Sequence, residues 1–475
     1  MVAEQEYVGP PLVGVDSSWK IQSLESICDG VFDCPHSTPM LVDEGIFMVR
    51  TQDIRKGYFD TSNAVFVSQE TYKERIKRAE PSPGDILFSR EGTYFGDAAE
   101  IPERTKVCLG QRMVLIRPKS EIINPSFLRN WINSPTFQNY LLAFRDGTVT
   151  ERLNMSTVRT LPIPLPPLPE QKAIAHILGS LDDKIEVNRK MNATLEAMAQ
   201  ALFKSWFVDF DPVIDNALTA GNPIPPEFQA RAELRRLNAE KLESATHHSS
   251  LATQNSRTAH LFPDSFQETE ELGWIPQGWE TGKITELADL NSESWSNKTH
   301  PDHVNYVDLA NTKNGRINEV FPYDYSEAPS RARRVLKVDD TIIGTVRPGN
   351  RSFAYIQEDG LTGSTGFAVL RPKQEACRSY VYLCLTQDDV IDHFAHLADG
   401  GAYSAIRPEV VGNLETVTFP QELMELFDQK AYPLIEKIGQ HQRATDILTN
   451  LRDTLLPKLI SGDLRIPNKE HVSSI

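Results

Sequence analysis

Leu115-Ile116-Arg117-Pro118-Lys119 returns as Val369-Leu370-Arg371-Pro372-Lys373, an offset of 254 (371 less 117). The same offset carries Gly147 to Gly401 and Pro166 to Pro420. Self-similarity over this length marks a duplicated design and is read before any local motif. Upstream, Gly84-Asp85-Ile86-Leu87-Phe88-Ser89-Arg90-Glu91-Gly92 pairs, with small gaps, with Asp339-Asp340-Thr341-Ile342-Ile343-Gly344-Thr345-Val346-Arg347-Pro348-Gly349. Both read as a short apolar strand entering an Arg-x-Gly turn, where glycine tolerates a positive φ. Each half also opens on a tryptophan, Trp19 and Trp279.

Beyond the proline-rich run from Pro162 to Pro169, prolines stop and apolar residues recur in steps of three or four at Ile174, Ile177, Leu181, Ile185, Met191, Leu195, Met198, Leu202 and Trp206. That spacing predicts a long amphipathic helix. The second half repeats the stripe, shifted by 253, at Leu434, Ile438, Leu448, Leu451, Leu455 and Leu459. Two helices in one register predict a coiled-coil pair, each roughly 60 Å long at about 1.5 Å per residue. Polar interruptions coincide as well, Asn188 with His441 and Asn192 with Thr445. They either fix the register of a helical seam or rotate toward solvent as the helix drifts from a 3.5-residue repeat.

The chain has 475 residues, and 49 Lys+Arg against 65 Asp+Glu give a net charge of −16. That length is about three domains' worth. No apolar run reaches the roughly 18 to 20 residues of a membrane span, and residues 1–10 lack the basic-then-apolar order of a signal peptide. Five scattered cysteines with no CxxC pair fit neither a disulfide framework nor a zinc ribbon, so a reducing, cytoplasmic setting is expected. The acidic total argues against nucleic acid, whose backbone is met by Lys and Arg. The acidity is unevenly spread, however: residues 1–165 carry 18 basic and 21 acidic groups, whereas 211–278 carry 5 and 10. A basic face on the first segment is compatible with that balance.

Motifs for chemistry are missing. There is no GxxxxGK[ST] loop, no [ND]PP[FY] of amino-methyltransferases, no nuclease PD…[DE]xK, no HExxH and no GxSxG. The pairs His300/His303 and His393/His396 lack an evident third ligand, and the doublet His247-His248 sits in a Ser/Thr-rich stretch, so no metal site is predicted. Arg331, Arg333 and Arg334 read equally as a solvated face or as a phosphate-binding cluster.

These residues together resemble the specificity subunit of type I restriction-modification systems. The resemblance rests on Leu165-Pro166-Pro167-Leu168-Pro169-Glu170-Gln171-Lys172-Ala173-Ile174 ahead of the first long helix, Lys204-Ser205-Trp206-Phe207-Val208-Asp209-Phe210-Asp211 at its end, and Leu272-Gly273-Trp274-Ile275-Pro276 opening the second half. Gly84-Asp85-Ile86-Leu87 and Leu455-Leu456-Pro457-Lys458-Leu459-Ile460-Ser461-Gly462-Asp463-Leu464 belong to it too. The second copy replaces the proline run with Phe419-Pro420-Gln421-Glu422. The resemblance implies two target-recognition domains, each followed by a helix, and assembly with two methyltransferase and two restriction/translocase subunits. It implies that S-adenosylmethionine, ATP and Mg belong to those partners, with no cofactor on this chain.

The expected architecture is α+β: two similar α/β target-recognition domains separated by two long antiparallel coiled-coil-like helices, as a pseudo-two-fold repeat. Boundaries are placed at 1–165 for the first domain, 166–210 for the first helix and 211–270 for a linker. The second domain follows at 271–420, the second helix at 421–465 and a tail at 466–475. The expected function is a non-catalytic reader of double-stranded DNA with an asymmetric, bipartite target, directing methylation and cleavage by its partners. The alternative is a self-contained DNA methyltransferase or nuclease with degenerate motifs. Candidate DNA-binding residues are Arg90, Gly92, Thr93, Arg112, Gly147, Thr148 and Arg152 in the first half, with Arg347, Gly349, Asn350, Arg351 and Arg407 in the second. Arginines suit phosphates and base edges, and the glycines shape the loops. Phe203, Trp206, Phe207, Leu456 and Ile460 at the helix ends are candidates for binding the methyltransferase partners; helix-to-helix packing explains Trp206 equally well.

Overall fold

The computed structural model describes residues 12, 14–59, 61, 63–92, 94–142, 152–245, 259–398 and 404–466, without the side chains of 240–245. Its contacts divide into two compact units, Met1–Val187 with Ala444–Ile475, and Asn188–Arg443. Both divisions fall inside long helices, so each unit owns part of Leu168–Phe207 and part of Gln421–Ser461.

In the first unit a four-stranded antiparallel sheet runs in the order Cys28–Asp33, Met113–Pro118, Ile86–Ser89, Ala98–Glu100. Successive side chains on a strand point to opposite faces. Ile86, Phe88, Val114 and Ile116 therefore feed one core, and Leu87, Met113 and Leu115 feed another. A parallel pairing of Phe47–Val49 with Val107–Leu109 builds the second sheet. A short pairing of Lys20–Ser23 with Pro162–Leu165 then delivers the chain to the first long helix.

The second unit repeats this frame and adds one strand, Ala332–Leu336, to its second sheet. Ala288–Leu290, Phe367–Pro372, Thr341–Gly344 and Phe353–Tyr355 follow the same order, Asn305–Val307 runs parallel to Leu361–Gly363, and Glu280–Lys283 pairs with Glu415–Thr418. Alternation again splits the strands, with Ile343, Ala368 and Leu370 in one core and Ile342, Phe367 and Val369 in the other.

The recurring pentapeptide now has a physical reason. Arg117 makes a two-point contact to Asp85 at 2.9 and 2.7 Å, and Arg371 makes the same contact to Asp340 at 2.8 and 2.8 Å. Each carboxylate also accepts from a turn amide, Ser82 N in one unit and Lys337 N in the other, both at 2.9 Å. A planar guanidinium matches a carboxylate at two points, which suits Arg rather than Lys here. The closing lysines reach backbone carbonyls, Lys119 to Ser26 O at 3.1 Å and Lys373 to Thr285 O at 2.6 Å.

The long helices hold 40 and 41 residues and begin at Leu168 and Gln421. Within the first unit Asp182 meets Arg452 at 3.1 Å and Glu170 meets Arg465 at 2.8 Å, so the two segments run in opposite directions there. Within the second unit Asn192 pairs with His441 at 3.0 Å and Phe203 with Phe427, again antiparallel. Asn192 Nδ2 also donates to Ile438 O at 3.1 Å. Asn188 and Thr445 are buried, whereas Met191, Met198 and Leu451 of the predicted apolar stripe are exposed. Asn192 and His441 thus lie in the seam, where a satisfied hydrogen bond fixes register, and part of the stripe faces outward.

Residues 211–270 are more than a connection. Asp211–Ala220 is a helix with Pro212 in its first turn and Gly221 closing it at φ +73°, and Val213, Ile214 and Ala217 are buried. A second helix, Gln229–Ala245, returns alongside, with Arg231 on Asp211 at 2.8 Å. Burial alone would raise the Asp211 carboxyl, but hydrogen bonds from Arg231 and Ser205 and the charge of Arg235 outweigh it and hold the group below its usual range. The end of the stretch adds the strand Phe266–Thr269, paired with Gly273–Pro276. Ser/Thr-rich residues 246–258, with His247 and His248, lie outside the described residues.

Candidate nucleic-acid interface

At one end of each four-stranded sheet three segments meet. In the first unit Arg90 N donates to Arg112 O at 3.2 Å, Leu153 N donates to Arg90 O at 3.0 Å, and Glu91 bridges to Arg152. In the second, Thr345 N donates to Gly366 O at 2.8 Å, Ile406 N donates to Thr345 O at 2.9 Å, and Val346 bridges to Ala405. The two junctions have the same hydrogen-bonding plan. Their register matches Arg90 with Thr345 rather than with Arg347, so the Arg-x-Gly likeness of the two turns is displaced by two residues.

That displacement decides the fate of the candidates. Arg90 is only 4% exposed; it donates to Leu153 O at 3.2 Å and faces Asp33 at 3.2 Å. It is a strut inside the junction and not a DNA contact, because a buried, paired guanidinium cannot reach a phosphate. Arg112, in contrast, is exposed at φ +67° and lies 3.4 Å from Glu91, whose bridge to Arg152 brings that exposed arginine to the same place. Gly92 takes φ +95° with open space around it. Thr93, Gly147 and Thr148 lie outside the described residues, as does Gly401.

In the second unit Arg347, Gly349 and Asn350 are exposed in one turn, with Arg347 N donating to Ser404 O at 2.7 Å. Arg407 is exposed at the start of the helix Pro408–Gly412. Arg351 turns away from this group: its guanidinium bonds Asp388 and, at 3.2 Å, Asn314, which commits it to carboxylate and amide neighbours. The 331–334 cluster, left open by the sequence, reaches the junction through Arg331 O, which accepts from Thr365 N at 2.8 Å. Arg331 is exposed, whereas burial lowers the proton affinity of the Arg334 guanidinium, partly offset by Glu409.

The expected partner surface is overturned. Phe203, Trp206 and Phe207 are buried in the second unit's main core. Phe207 stacks on Phe419 with ring centroids 4.6 Å apart and meets Tyr380 edge-on at 5.0 Å. Ile460 is fully buried and Leu456 packs against the first unit's core. Helical spacing puts Phe203 and Phe207 off the stripe that holds Trp206, and Trp206 does pack on Phe427 of the other helix; spacing did not show that the adjoining fold covers the two phenylalanines.

Among the described residues no group of three or more His, Cys, Asp or Glu is placed to hold a metal ion. His300 is in a loop and His303 on a strand, where it pairs with Asp324 at 2.6 Å; His393 and His396 are exposed on the helix Asp388–Ala398. No helix among those residues is long and apolar enough to cross a membrane.

Two mixed α/β units of one plan, each ending in an exposed, arginine-bearing loop junction, define a duplicated recognition protein. Residues 45–197 match the type I restriction modification DNA specificity domain. The chain is similar to the Type I restriction enzyme HindI specificity subunit of Haemophilus influenzae, 26% identical over 94% of this chain and 100% of that one. It is also similar to the MjaIX specificity subunit of Methanocaldococcus jannaschii, 23% identical over 84% of this chain and 82% of the relative. In fold it resembles the crystal structure of an S subunit from M. genitalium, with a TM-score of 0.52 and 14% identity over 96% of this chain and 98% of that chain. Over nearly its whole length the chain is therefore similar to specificity subunits of type I restriction enzymes, and residues 45–197 carry their DNA specificity domain.

Proposed function

We propose that this chain is the DNA-recognition subunit of a type I restriction-modification complex, reading an asymmetric target in two parts with an unread spacer. The observation that carries the reading is the junction built twice on one hydrogen-bonding plan with different exposed side chains. One plan repeated gives two contacts with duplex DNA, and different side chains give two different half-sites. Arg112 and Arg152 serve the first, and Arg347, Asn350 and Arg407 the second.

The chain itself is non-catalytic in this reading and acts in the cytoplasm. It directs two methyltransferase subunits and two restriction/translocase subunits, and S-adenosylmethionine, ATP and Mg act on those partners. The test is to map methylated adenines in cells carrying the chain with its methyltransferase partner. A bipartite, asymmetric motif is the expected result, and an unbroken palindrome would overturn the reading.

A further inference from the structure

The second unit carries a surface that its junction does not explain. Two segments lie side by side there: Trp295 N donates to Arg333 O at 2.7 Å, Val335 N donates to Glu293 O at 3.2 Å, and Ser294 bridges to Arg334. Neither 294–301 nor 329–338 contains an Asp or Glu, yet together they hold Lys298, Arg331, Arg333, Arg334 and Lys337 in a chain of net charge −16. Of the carboxylates that flank these segments, Glu293 is engaged by Lys337 and Arg371, Asp324 by His303 and Asp339 by Arg378, and Asp302 lies beside the patch.

Aromatic groups are interleaved with this charge. The His300 ring lies parallel to the Tyr325 ring, with centroids 3.8 Å apart and 4° between planes. The Arg333 guanidinium stands 5.0 Å from the same Tyr325 ring and donates to its hydroxyl. His300 Nδ1 lies 3.0 Å from Pro301 O. A carbonyl can only accept, so Nδ1 carries the hydrogen and the neutral ring keeps an acceptor at Nε2. His300, Lys298 and Arg331 are all exposed.

The surface is continuous with the junction, because Arg331 O accepts from Thr365 N and the next residue, Gly366, accepts from Thr345 N. The first unit has a different device at this place. There the carbonyl of Leu109, which matches Gly363 in the parallel pairing, accepts from the buried Arg75 at 2.9 and 2.7 Å. A side chain closes that sheet edge; in the second unit the strand Ala332–Leu336 closes it and carries the arginines outward.

We propose that residues 294–301 and 329–334 form a second DNA-contacting patch, with His300, braced on Tyr325, meeting a base edge and Lys298 and Arg331 meeting phosphates. The inference rests on the function proposed above. It makes the contact of the second unit longer than that of the first. Base contacts set selectivity, while phosphate contacts add affinity for any sequence and steepen its salt dependence.

The test uses the chain assembled with its methyltransferase partner, its mapped target, and a duplex altered only in the second half-site. His300→Ala is expected to cut the preference for the target roughly tenfold while leaving non-specific binding unchanged. Lys298→Ala combined with Arg331→Ala is expected to weaken both duplexes alike and to reduce the salt slope by about two. Hydroxyl-radical protection should shrink over the second half-site alone. Unchanged preference in His300→Ala, or a fall in melting temperature with equal loss on both duplexes, would overturn the inference. Absence of selective binding by the unsubstituted assembly would overturn the functional reading and this inference with it.

Discussion

The two units share a strand frame and differ in how that frame grips its helical segments. In the first unit the grip is charged: Asp182 on one helix holds Arg129 of the recognition fold at 3.2 Å and Arg452 of the other helix at 3.1 Å. In the second it is largely aromatic. Phe203, Phe207 and Phe427 close around Tyr380, and Arg378 lies 3.3 Å over the Tyr432 ring while pairing with Asp428 at 3.1 Å. Under the 253-residue shift Phe427 corresponds to Ile174, and both are buried. The contrast teaches that the Asp–Arg contact inside the sheet is tied to strand geometry, whereas the attachment of sheet to helix is free to be solved twice.

Substitution can break that comparison most directly at its aromatic end. Phe427→Ala should cost about 4 kcal/mol and Ile174→Ala about 3 kcal/mol, because more packed surface is lost around a phenyl ring. Denaturant unfolding followed by probes in each unit reads both, and a larger cost at Ile174 would contradict the asymmetry. Next come the shared struts. Asp340→Asn should cost about 3 kcal/mol, because it removes the two-point partner of a mostly buried guanidinium and leaves it only the half-exposed Glu293. Asp85→Asn should cost about 2 kcal/mol, since the Arg117 side chain is 32% exposed against 17% for Arg371. Equal costs would show that solvent access to the arginine is unimportant.

Smaller effects sharpen the reading ends. Arg112→Ala with Arg152→Ala, and separately Arg347→Ala with Arg407→Ala, should each reduce the salt slope of DNA binding by about two, with protection lost over opposite half-sites. Loss over the same half-site from both pairs would break the assignment. The smallest effect is at Asp211. A carboxyl held below its usual range contributes stability above the unfolded value of about 4 and loses it as pH falls through its folded value. Hydrogen exchange of the helices Asp211–Ala220 and Gln229–Ala245 should therefore accelerate only below about pH 4, and Asp211→Asn should remove that dependence.

Much of this fold was legible because duplication writes each rule twice. The 253-residue shift in the apolar stripe reappears as helices starting at Leu168 and Gln421, and the repeated pentapeptide marks a central strand in each unit. The helix Asp211–Ala220 was passed over although Pro212 and Gly221 bracket it in the order that favours a helix start and stop. Of the candidate DNA-binding residues, Arg112, Arg152, Arg347, Gly349, Asn350 and Arg407 are exposed, while Arg90 is buried and Arg351 is paired with Asp388. A sequence displays a guanidinium without the carboxylate waiting for it: Asp33 is 57 residues from Arg90, and Asp388 is 37 from Arg351. Phe203 and Phe207 failed as partner contacts for a similar reason, since helical periodicity counts one helix and the covering rings of Tyr380 and Phe419 come from elsewhere in the chain.

The division of contacts at Val187/Asn188 and Arg443/Ala444 carries a consequence for heredity. A gene exchange with crossovers at those two points would replace residues 188–443 as a block, taking along a whole interior with every aromatic ring that fills it. On the function proposed above, such an exchange would pair one unit's half-site with a new one while keeping each unit's own interior residues together.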